Sequence, residues 1–287
     1  MSSVRALYLR GKSLLAGLPE TNPELNSRLL LRKAAALGEL GFLISPEKEL
    51  SSSAERRFFR LIEKRRNRVP LAYLLGEKEF WSMSFRVMPG VFIPRPETEL
   101  LVEKVIALSA SGKKLRIVDI GTGCGNIAVA LARELPRARI FAVDRSRRAL
   151  RVARFNAERH GAKAVTFFEG DLFEPLAGRL PRNSVDIIVS NPPYVSTAEW
   201  LELEPEIRKS EPKRALVAGP GGLEVMDRLA RGALAFLKPG GWLLFEIGQG
   251  QADRAFTSID PRWRQKKIFP DLAGVPRVAA ARKATIA

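Results

Sequence analysis

The segment Val118–Asn126 has the sequence Val-Asp-Ile-Gly-Thr-Gly-Cys-Gly-Asn, and a helix-forming run, Ile127–Leu135, follows it directly. An apolar strand that enters a glycine-rich turn and then a helix is typical of the first unit of a nucleotide-binding α/β domain. Glycines lack a Cβ atom, so the backbone can turn sharply and approach a ligand closely, while the first helical N–H groups point toward that ligand. We therefore expect Gly121, Gly123 and Gly125 to border a cofactor site.

The same segment argues against a dinucleotide cofactor. The dinucleotide fingerprint requires its third glycine one position later than this chain provides it. Asn126 occupies that position. The pattern therefore disfavours NAD and FAD.

From Glu97 onward, apolar runs rich in β-branched residues alternate with helical patterns. Such alternation predicts a parallel sheet covered by helices. Near the end of the chain, Lys266–Phe269 and Arg277–Arg282 flank a turn and predict a hairpin that adds edge strands. The other strands that the sequence predicts are Leu115–Ile120, Ile140–Asp144, Val165–Glu169, Val185–Ser190 and Trp242–Ile247.

The amino-terminal part has a different pattern. Leucines recur there at helical spacing between Pro19, Pro23 and Pro46, which predicts a small helical bundle. After it, Lys78–Trp81 and Ser84–Met88 predict two short strands. The sequence thus predicts a helical domain at residues 1–75, a β-hairpin linker at 76–95 and an α/β domain at 96–287.

Composition limits the classes of protein to which the chain can belong. Of its 287 residues, 46% are hydrophobic and 28% are charged, which is typical of a folded protein. No apolar stretch approaches the roughly 18 residues of a membrane span, so we expect a soluble, cytoplasmic protein. One cysteine and one histidine exclude an internal disulfide and a zinc site of ordinary composition, so we expect no metal.

The net charge of +17 would attract nucleic acid, ribosomal surfaces or acidic proteins, without indicating which. Basic residues are dense in residues 56–68, on a segment whose pattern predicts a helix. A solvated helix face and a partner-binding surface explain that run equally well.

Two later strands end in acidic residues. Asp144 closes the second strand of the sheet, where a carboxylate can accept hydrogen bonds from both ribose hydroxyls. The alternative is that Asp144 and Ser146 only cap the next helix. After the third strand, Asp171 is placed to bind an adenine amino group and Leu172 to pack on the adenine ring, although leucine is more often a core residue.

The motif Asn191-Pro192-Pro193-Tyr194 directly follows the strand Val185–Ser190. Two prolines remove two N–H donors and stiffen the turn, which leaves backbone carbonyls and the Asn191 amide oxygen as acceptors. Such acceptors can hold both hydrogens of an NH2 group and orient its nitrogen, while Tyr194 stacks on the flat target group. An ordinary tight turn is the alternative, but a strand end of an open sheet favours a site.

Taken with these motifs, the chain resembles the release factor glutamine N5-methyltransferases, which join a small helical domain to a class I, Rossmann-like methyltransferase domain. The resemblance covers nearly the whole chain. It is carried by residues 69–76, 92–99, 119–125, 191–194, 211–216, 221–223, 245–248 and 271–277.

The resemblance implies S-adenosyl-L-methionine as cofactor, S-adenosyl-L-homocysteine as product, and methylation of the Gly-Gly-Gln glutamine of class 1 peptide chain release factors. Two positions depart from the family, which commonly has serine or threonine at Cys124 and often an aromatic residue at Leu172. A lone thiol with no nearby histidine is better explained as a small space-filling residue than as a nucleophile. The implied cofactor residues are Gly121, Thr122, Gly123, Cys124, Gly125, Asp144, Asp171, Leu172 and Asn191, and the implied catalytic residues are Asn191, Pro192, Pro193 and Tyr194.

Two other activities remain open at this point. An adenine N6-methyltransferase acting on DNA or RNA needs the same acceptor cluster and would suit the charge, but little chain follows Tyr194 to form a DNA-reading domain. A glutamine methyltransferase of a ribosomal protein differs only in its partner. A module that merely binds the cofactor would be expected to have a damaged glycine loop or amide pocket, and both are intact. We expect a release factor as partner and do not expect nucleic acid as substrate.

Overall fold

The computed structural model describes residues 2–19, 21–38, 41–109, 114–256 and 260–285. The chain folds into two compact units. One comprises residues 1–77 together with 204–210, and the other comprises residues 78–203 together with 211–287.

The first unit is helical. The side chains of Ser3, Asn22 and Ser51 each accept a backbone N–H at the start of a helix, which satisfies a donor that has no partner within the helix. Leu30 and Phe58 are among its fully buried core residues. Its helices are α1 (Val4–Leu15), α2 (Pro23–Ala35), α3 (Gly41–Ile44), α4 (Ser52–Arg66), α5 (Leu71–Leu75) and α10 (Pro205–Ser210).

One basic residue of the run in residues 56–68 is not on the surface. Arg65 of α4 is buried, and its guanidinium donates to Asn26 Oδ1 at 2.8 Å, to the Val69 carbonyl at 2.9 Å and to Glu206 Oε2 at 2.6 Å. This partly buried ion pair joins α10 to α4 although the two helices lie far apart along the chain.

The second unit contains a seven-stranded sheet with the strand order β10-β11-β9-β6-β3-β4-β5 among the described residues. Strands β9, β6, β3, β4 and β5 are parallel, and β11 and β10 add an antiparallel edge. The predicted parallel sheet with a carboxyl-terminal hairpin is therefore confirmed. The strands are β3 (Arg116–Ile120), β4 (Arg139–Asp144), β5 (Val165–Glu169), β6 (Val185–Ser190), β9 (Leu237–Glu246), β10 (Trp263–Pro270) and β11 (Pro276–Lys283).

Helices cover this sheet, as its apolar strands require. Ile117, Ile188 and Leu243 in three neighbouring strands are fully buried. The helices of this unit are α6 (Glu99–Leu108), α7 (Asn126–Glu134), α8 (Arg147–Arg159), α9 (Thr197–Glu202) and α11 (Glu224–Phe236). Two short strands, β7 (Val195–Ser196) and β8 (Val217–Gly219), pair apart from the main sheet.

The two short strands that the sequence predicted before the sheet also form. They are β1 (Glu77–Phe80) and β2 (Met83–Arg86), and each begins one residue earlier than expected. Phe80 and Phe85 are buried, and Asn156 of α8 exchanges two hydrogen bonds with the Arg86 backbone, at 2.8 and 3.1 Å. From Lys78 onward the hairpin is thus part of the second unit.

The register of the sheet brings several strand ends together. Ile120 pairs with Val143 on one side and with Ser190 on the other, and Ser190 pairs with Phe245. The chain continues from β3 to β4 on one side and later returns to β6 on the other, so a crevice opens at the carboxyl ends of these strands.

Candidate active site

A cavity of about 300 Å³ lies at this edge of the sheet, within the second unit. That volume is at the lower end of the range for small-molecule sites. Gly125 and Tyr194 lie outside the lining of the cavity. The other residues that the sequence predicted for the site line it: Gly121, Thr122, Gly123, Cys124, Asp144, Asp171, Leu172, Asn191, Pro192 and Pro193.

The glycine loop is held by its backbone. The N–H groups of Gly121 and Thr122 both donate to the Val143 carbonyl, at 2.8 and 2.9 Å. Gly121 and Gly123 have φ values of 74° and 57°, a left-handed conformation that favours glycine. The loop therefore follows the end of β4 closely and leaves space above it for a ligand.

Gly125 and Cys124 serve the packing of this loop. A Cβ atom at Gly125 would lie 3.1 Å from Ala153 Cβ, and the residue has a φ of 84°. Cys124 is buried, and burial raises the pKa of its thiol to about 12. A thiol that stays protonated is a poor nucleophile, which agrees with a space-filling role.

Asp144 supports both the glycine loop and the start of the next helix, and its ribose-binding role remains a prediction. Its Oδ2 accepts the Gly123 N–H at 2.9 Å and its Oδ1 accepts the Ser146 N–H at 2.7 Å. Ser146 in turn caps α8. Burial raises the pKa of Asp144. Because each carboxylate oxygen has two lone pairs, Asp144 can still accept hydrogen bonds from a ligand in the cavity.

A second carboxylate lies beneath the glycine loop. Asp119 is fully buried, and burial raises its pKa to about 7, although the Thr122 hydroxyl, which donates to Oδ2 at 2.6 Å, acts in the opposite direction. Its other oxygen, Oδ1, has no hydrogen-bond partner among the residues that the structure describes. Two buried carboxylates beside a cavity favour a positively charged ligand.

Asp171 and Leu172 lie at the far side of the cavity, after β5. The Asp171 carboxylate forms an ion pair with Arg228 of α11 through Oδ2. Leu172 adopts a φ of 48°, which is unusual for leucine and turns the chain at the cavity wall. Both residues line the cavity, and the Asp171 carboxylate already has Arg228 as a partner.

Asn191 follows β6 and takes part in a buried hydrogen-bonded chain. Its Nδ2 donates to Thr98 Oγ1 at 3.1 Å, and the Thr98 hydroxyl donates to Glu246 Oε2 at 2.6 Å. Pro192 and Pro193 continue along the same wall of the cavity. The wall thus presents acceptors and lacks the N–H donors that the two prolines remove.

Tyr194 does not line the cavity. Its hydroxyl donates to Glu246 Oε1 at 3.4 Å, and its carbonyl accepts from Gln251 Nε2 at 2.7 Å. Burial raises the pKa of Tyr194, so its phenol stays protonated. In this conformation the ring packs against the core, and stacking on a target group remains a prediction.

Comparison with known proteins gives the family. The PrmC N-terminal domain matches residues 6–76 and a methyltransferase domain matches residues 111–253. The release factor glutamine methyltransferase of Moorella thermoacetica is 42% identical to this chain over 96% of the chain and 97% of that protein. That of Koribacter versatilis is 39% identical over 92% of each, and that of Geobacter sulfurreducens is 43% identical over 81% of this chain and 79% of that protein. The chain belongs to the release factor glutamine methyltransferases.

Membership in the release factor glutamine methyltransferases confirms the family resemblance and the predicted fold class, a class I, Rossmann-like α/β domain with a helical amino-terminal domain. It also makes the chain a methyltransferase. Within the described ranges, no helix is long and apolar enough to cross a membrane.

The site residues predicted for this release factor glutamine methyltransferase did not include Thr98 or Glu246, which the structure links to Asn191, although both lie in segments, 92–99 and 245–248, that carry the family resemblance. Thr98 and Glu246 are both buried, and Thr98 lines the cavity. Burial raises the pKa of Glu246 to about 7. The available signal was an acidic residue at the end of an otherwise apolar strand, because buried acids are rare and often functional.

A further buried acid, Glu211, supports the part of the wall that residues 92–99 contribute. Glu211 accepts the Ile93 N–H at 3.2 Å with Oε2 and forms an ion pair with Arg95 through Oε1. Arg95 also lies over the Phe92 ring, at 4.9 Å from its centroid. Because Phe92 lines the cavity, these contacts fix the wall that the segment 92–99 contributes.

Proposed function

We propose that this enzyme transfers a methyl group from S-adenosyl-L-methionine to the side-chain nitrogen of a glutamine, the Gly-Gly-Gln glutamine of a class 1 peptide chain release factor. The observation that carries the proposal is that the acceptor wall of Asn191, Pro192 and Pro193 borders the same cavity as the glycine loop and Asp144. A cofactor and an NH2 group bound in one cavity are neighbours, as direct transfer requires. The names of the relatives supply the release factor.

In this proposal one end of the cavity holds the cofactor. Asp144 accepts the ribose hydroxyls, Asp171 binds the adenine amino group, and Leu172 packs on the adenine ring. The buried Asp119 and Asp144 fit the positive charge of S-adenosyl-L-methionine, because a nearby cation favours their ionised forms. When bound, the cofactor would supply a methyl group on a positively charged sulfur. The glutamine nitrogen would form its bond to that carbon as the carbon–sulfur bond breaks, which leaves the neutral thioether S-adenosyl-L-homocysteine, and the nitrogen would release one of its two hydrogens as a proton to water.

The other end orients the glutamine. Asn191 Oδ1 and the carbonyls of the proline turn accept both hydrogens of the amide, which fixes its plane. These hydrogen bonds also increase the electron density on the nitrogen, whose lone pair is otherwise delocalised into the carbonyl group. Fixing a reacting group in this way contributes about 7 to 11 kcal/mol in well-oriented reactions, so alignment supplies most of the rate increase.

The helical domain, predicted at residues 1–75, docks the protein substrate in this proposal. Helix α4 exposes Arg56, Arg57, Arg60 and Lys64 to solvent, and this surface attracts an acidic partner. Arg65 does not contribute to that surface, because it is buried against Glu206.

The test is transfer of label from methyl-labelled S-adenosyl-L-methionine to a purified class 1 release factor. Its Gln-to-Ala loop variant, a ribosomal protein, and adenine-containing DNA and RNA serve as the other substrates. We expect label on the intact factor alone. Label on nucleic acid would replace the proposed substrate with an adenine amine, and label on the Gln-to-Ala variant would place the methyl group on another residue.

A further inference from the structure

Glu246 is a buried carboxylate at the end of β9 that no step of the proposed function uses. Only 3% of its surface is exposed, and both of its oxygens accept a hydroxyl: Thr98 at 2.6 Å and Tyr194 at 3.4 Å. Thr98 in turn accepts Asn191 Nδ2 at 3.1 Å. The carboxylate is thus two hydrogen bonds away from the residue proposed to hold the substrate amide.

The number of hydrogens available for donation determines the direction of each hydrogen bond in this chain. An ionised carboxylate only accepts, so Thr98 must donate its single hydroxyl hydrogen to Glu246. Thr98 can then only accept from Asn191, and Asn191 must turn its Nδ2 toward Thr98. Its Oδ1 is left for the cavity.

The opposite amide orientation would be unproductive. The two ends of an asparagine side chain have nearly the same size, so shape does not distinguish them and hydrogen bonds decide. An Asn191 rotated by half a turn would present N–H donors to the NH2 group of the substrate. Two donors that face each other without an acceptor destabilise the bound complex.

We propose that Glu246, acting through the Thr98 hydroxyl, is a positioning residue that fixes the orientation of the Asn191 amide with its oxygen toward the substrate. This inference rests on the proposed function and adds to it the reason why Asn191 acts as an acceptor.

The hydrogen-bonded chain Glu246–Thr98–Asn191 acts as a relay. The groups around Glu246 determine the pH range in which this relay keeps the Asn191 amide in its productive orientation. Glu97 and Thr98 face it from the segment before α6, Arg277 from β11, and Tyr194 from the loop after β6. The pKa of Glu246 is raised to about 7: burial is the largest cause and the charge of Glu97 adds to it, while Thr98, Arg277 and Tyr194 lower the pKa. Below that pKa the protonated carboxyl can donate to Thr98 and reverse the relay, so turnover at saturating cofactor falls as the pH decreases through about 7.

A matched pair of variants at Thr98 tests the relay. Thr98→Val removes the hydroxyl with little change in volume, and Thr98→Ser keeps it. We expect Thr98→Val to lower kcat/KM on the release factor by roughly 10- to 100-fold, with little change in the Kd of S-adenosyl-L-methionine, and Thr98→Ser to keep most of the wild-type value. Equal rates for the two variants would overturn the proposal, and so would a loss in Thr98→Val that is explained by weaker cofactor binding.

The pH profile provides a readout that a purely structural role would not change. Glu246→Gln carries no ionisable group there, so the decrease of kcat below pH 7 should disappear. Glu97→Gln is the matched control. In this variant kcat should still decrease at acidic pH, but the decrease should begin at a lower pH, because removing a neighbouring negative charge lowers the pKa of Glu246. If kcat of Glu246→Gln still decreased below pH 7 as in the wild type, another group would be responsible for the decrease, and the relay would be contradicted.

A measurement without substrate separates this inference from the proposed function. In protein labelled with 15N-asparagine, the Asn191 side-chain NH2 signal is identified by its absence in Asn191→Ala. We expect its hydrogens to exchange slowly with solvent in the wild type and in Thr98→Ser, and rapidly in Thr98→Val. Slow exchange with no methylation of the release factor would contradict the proposed function alone, and rapid exchange in the wild type would contradict the relay alone.

Discussion

The two ends of the cavity are built by different means. At the glycine loop the contacts join backbone groups to strand ends: Gly121 donates to the Val143 carbonyl and Gly123 donates to Asp144. At the other end, the amide end, where the substrate glutamine is proposed to bind, the contacts join the side chains of Asn191, Thr98 and Glu246. Of these two glycine-loop contacts only the one to Asp144 involves a side chain, whereas the chain of side chains at the other end fails when any one member is removed.

This contrast predicts that the amide end determines the rate and the glycine-loop end determines cofactor affinity. The largest effect is expected for Asn191→Ala, which removes the side-chain acceptor. We expect kcat on the release factor to fall by roughly 10²- to 10³-fold, the range found when one preorganised hydrogen-bonding group is removed from an active site. Rapid-quench measurement of methyl transfer checks the rate.

Calorimetry supplies the control for Asn191→Ala. The Kd of S-adenosyl-L-methionine should stay within about threefold of the wild-type value, because in the proposed function the Asn191 side chain orients the target group and the other implied cofactor residues keep their contacts. A large rise in Kd would mean that the two ends of the cavity do not have separate roles.

The next largest effect is expected for Asp144→Asn, which alters the other end. Asp144 accepts N–H groups from both Gly123 and Ser146, and asparagine has only one oxygen with which to replace two acceptors. We expect cofactor Kd to rise by roughly 10- to 100-fold, the equivalent of about 1.5 to 3 kcal/mol for a hydrogen bond to a charged group. At saturating cofactor the transfer rate should recover. A rate that stays low would contradict the separate roles of the two ends of the cavity.

A smaller effect concerns pH. Burial raises the pKa of Asp119 to about 7, so this carboxyl is mostly protonated below that pH and ionised above it. The affinity for a positively charged cofactor should therefore increase between pH 6 and pH 8, by less than about tenfold. Titration calorimetry at several pH values measures this change. In Asp119→Asn the slope should be absent, and a slope that persists would assign it to another group.

The smallest effect is expected for Cys124→Ala. Burial raises the pKa of the thiol to about 12, and the residue fills space within the loop. We expect cofactor Kd and kcat to change by less than about threefold. Thiol-reactive reagents at pH 8 should label the folded enzyme slowly, and rapid labelling with loss of activity would restore the nucleophile interpretation.

The same contrast explains what could be predicted from the sequence. The glycine loop and the strands were visible because each is a continuous segment with a local physical reason: Val165–Glu169 and Val185–Ser190 form at the predicted residues. Other strand boundaries were predicted less well, and the largest difference is at β9. Strand β9 begins at Leu237, before the predicted Trp242. The register between β6 and β9 shifts between two pairs of residues, and Leu237 already pairs with Val185 before Trp242 pairs with Ile187.

The amide end could be predicted only in part, because its members lie far apart in the chain. Asn191 and the prolines form a short motif, but the role of Glu246 depends on a threonine from another element and on burial that only the folded chain creates. The same holds for Arg65, which looked like one charge in a basic run and pairs with Glu206 inside the first unit. Pairings of this kind have no local pattern in the sequence.

The most direct test of the account is to locate the methyl group by tandem mass spectrometry, after the enzyme and S-adenosyl-L-methionine have been incubated with a class 1 release factor. We expect a single methyl group on the side-chain nitrogen of the Gly-Gly-Gln glutamine, absent when Asn191→Ala replaces the wild-type enzyme. A methyl group on any other residue of the factor, or an equal yield from Asn191→Ala, would contradict it.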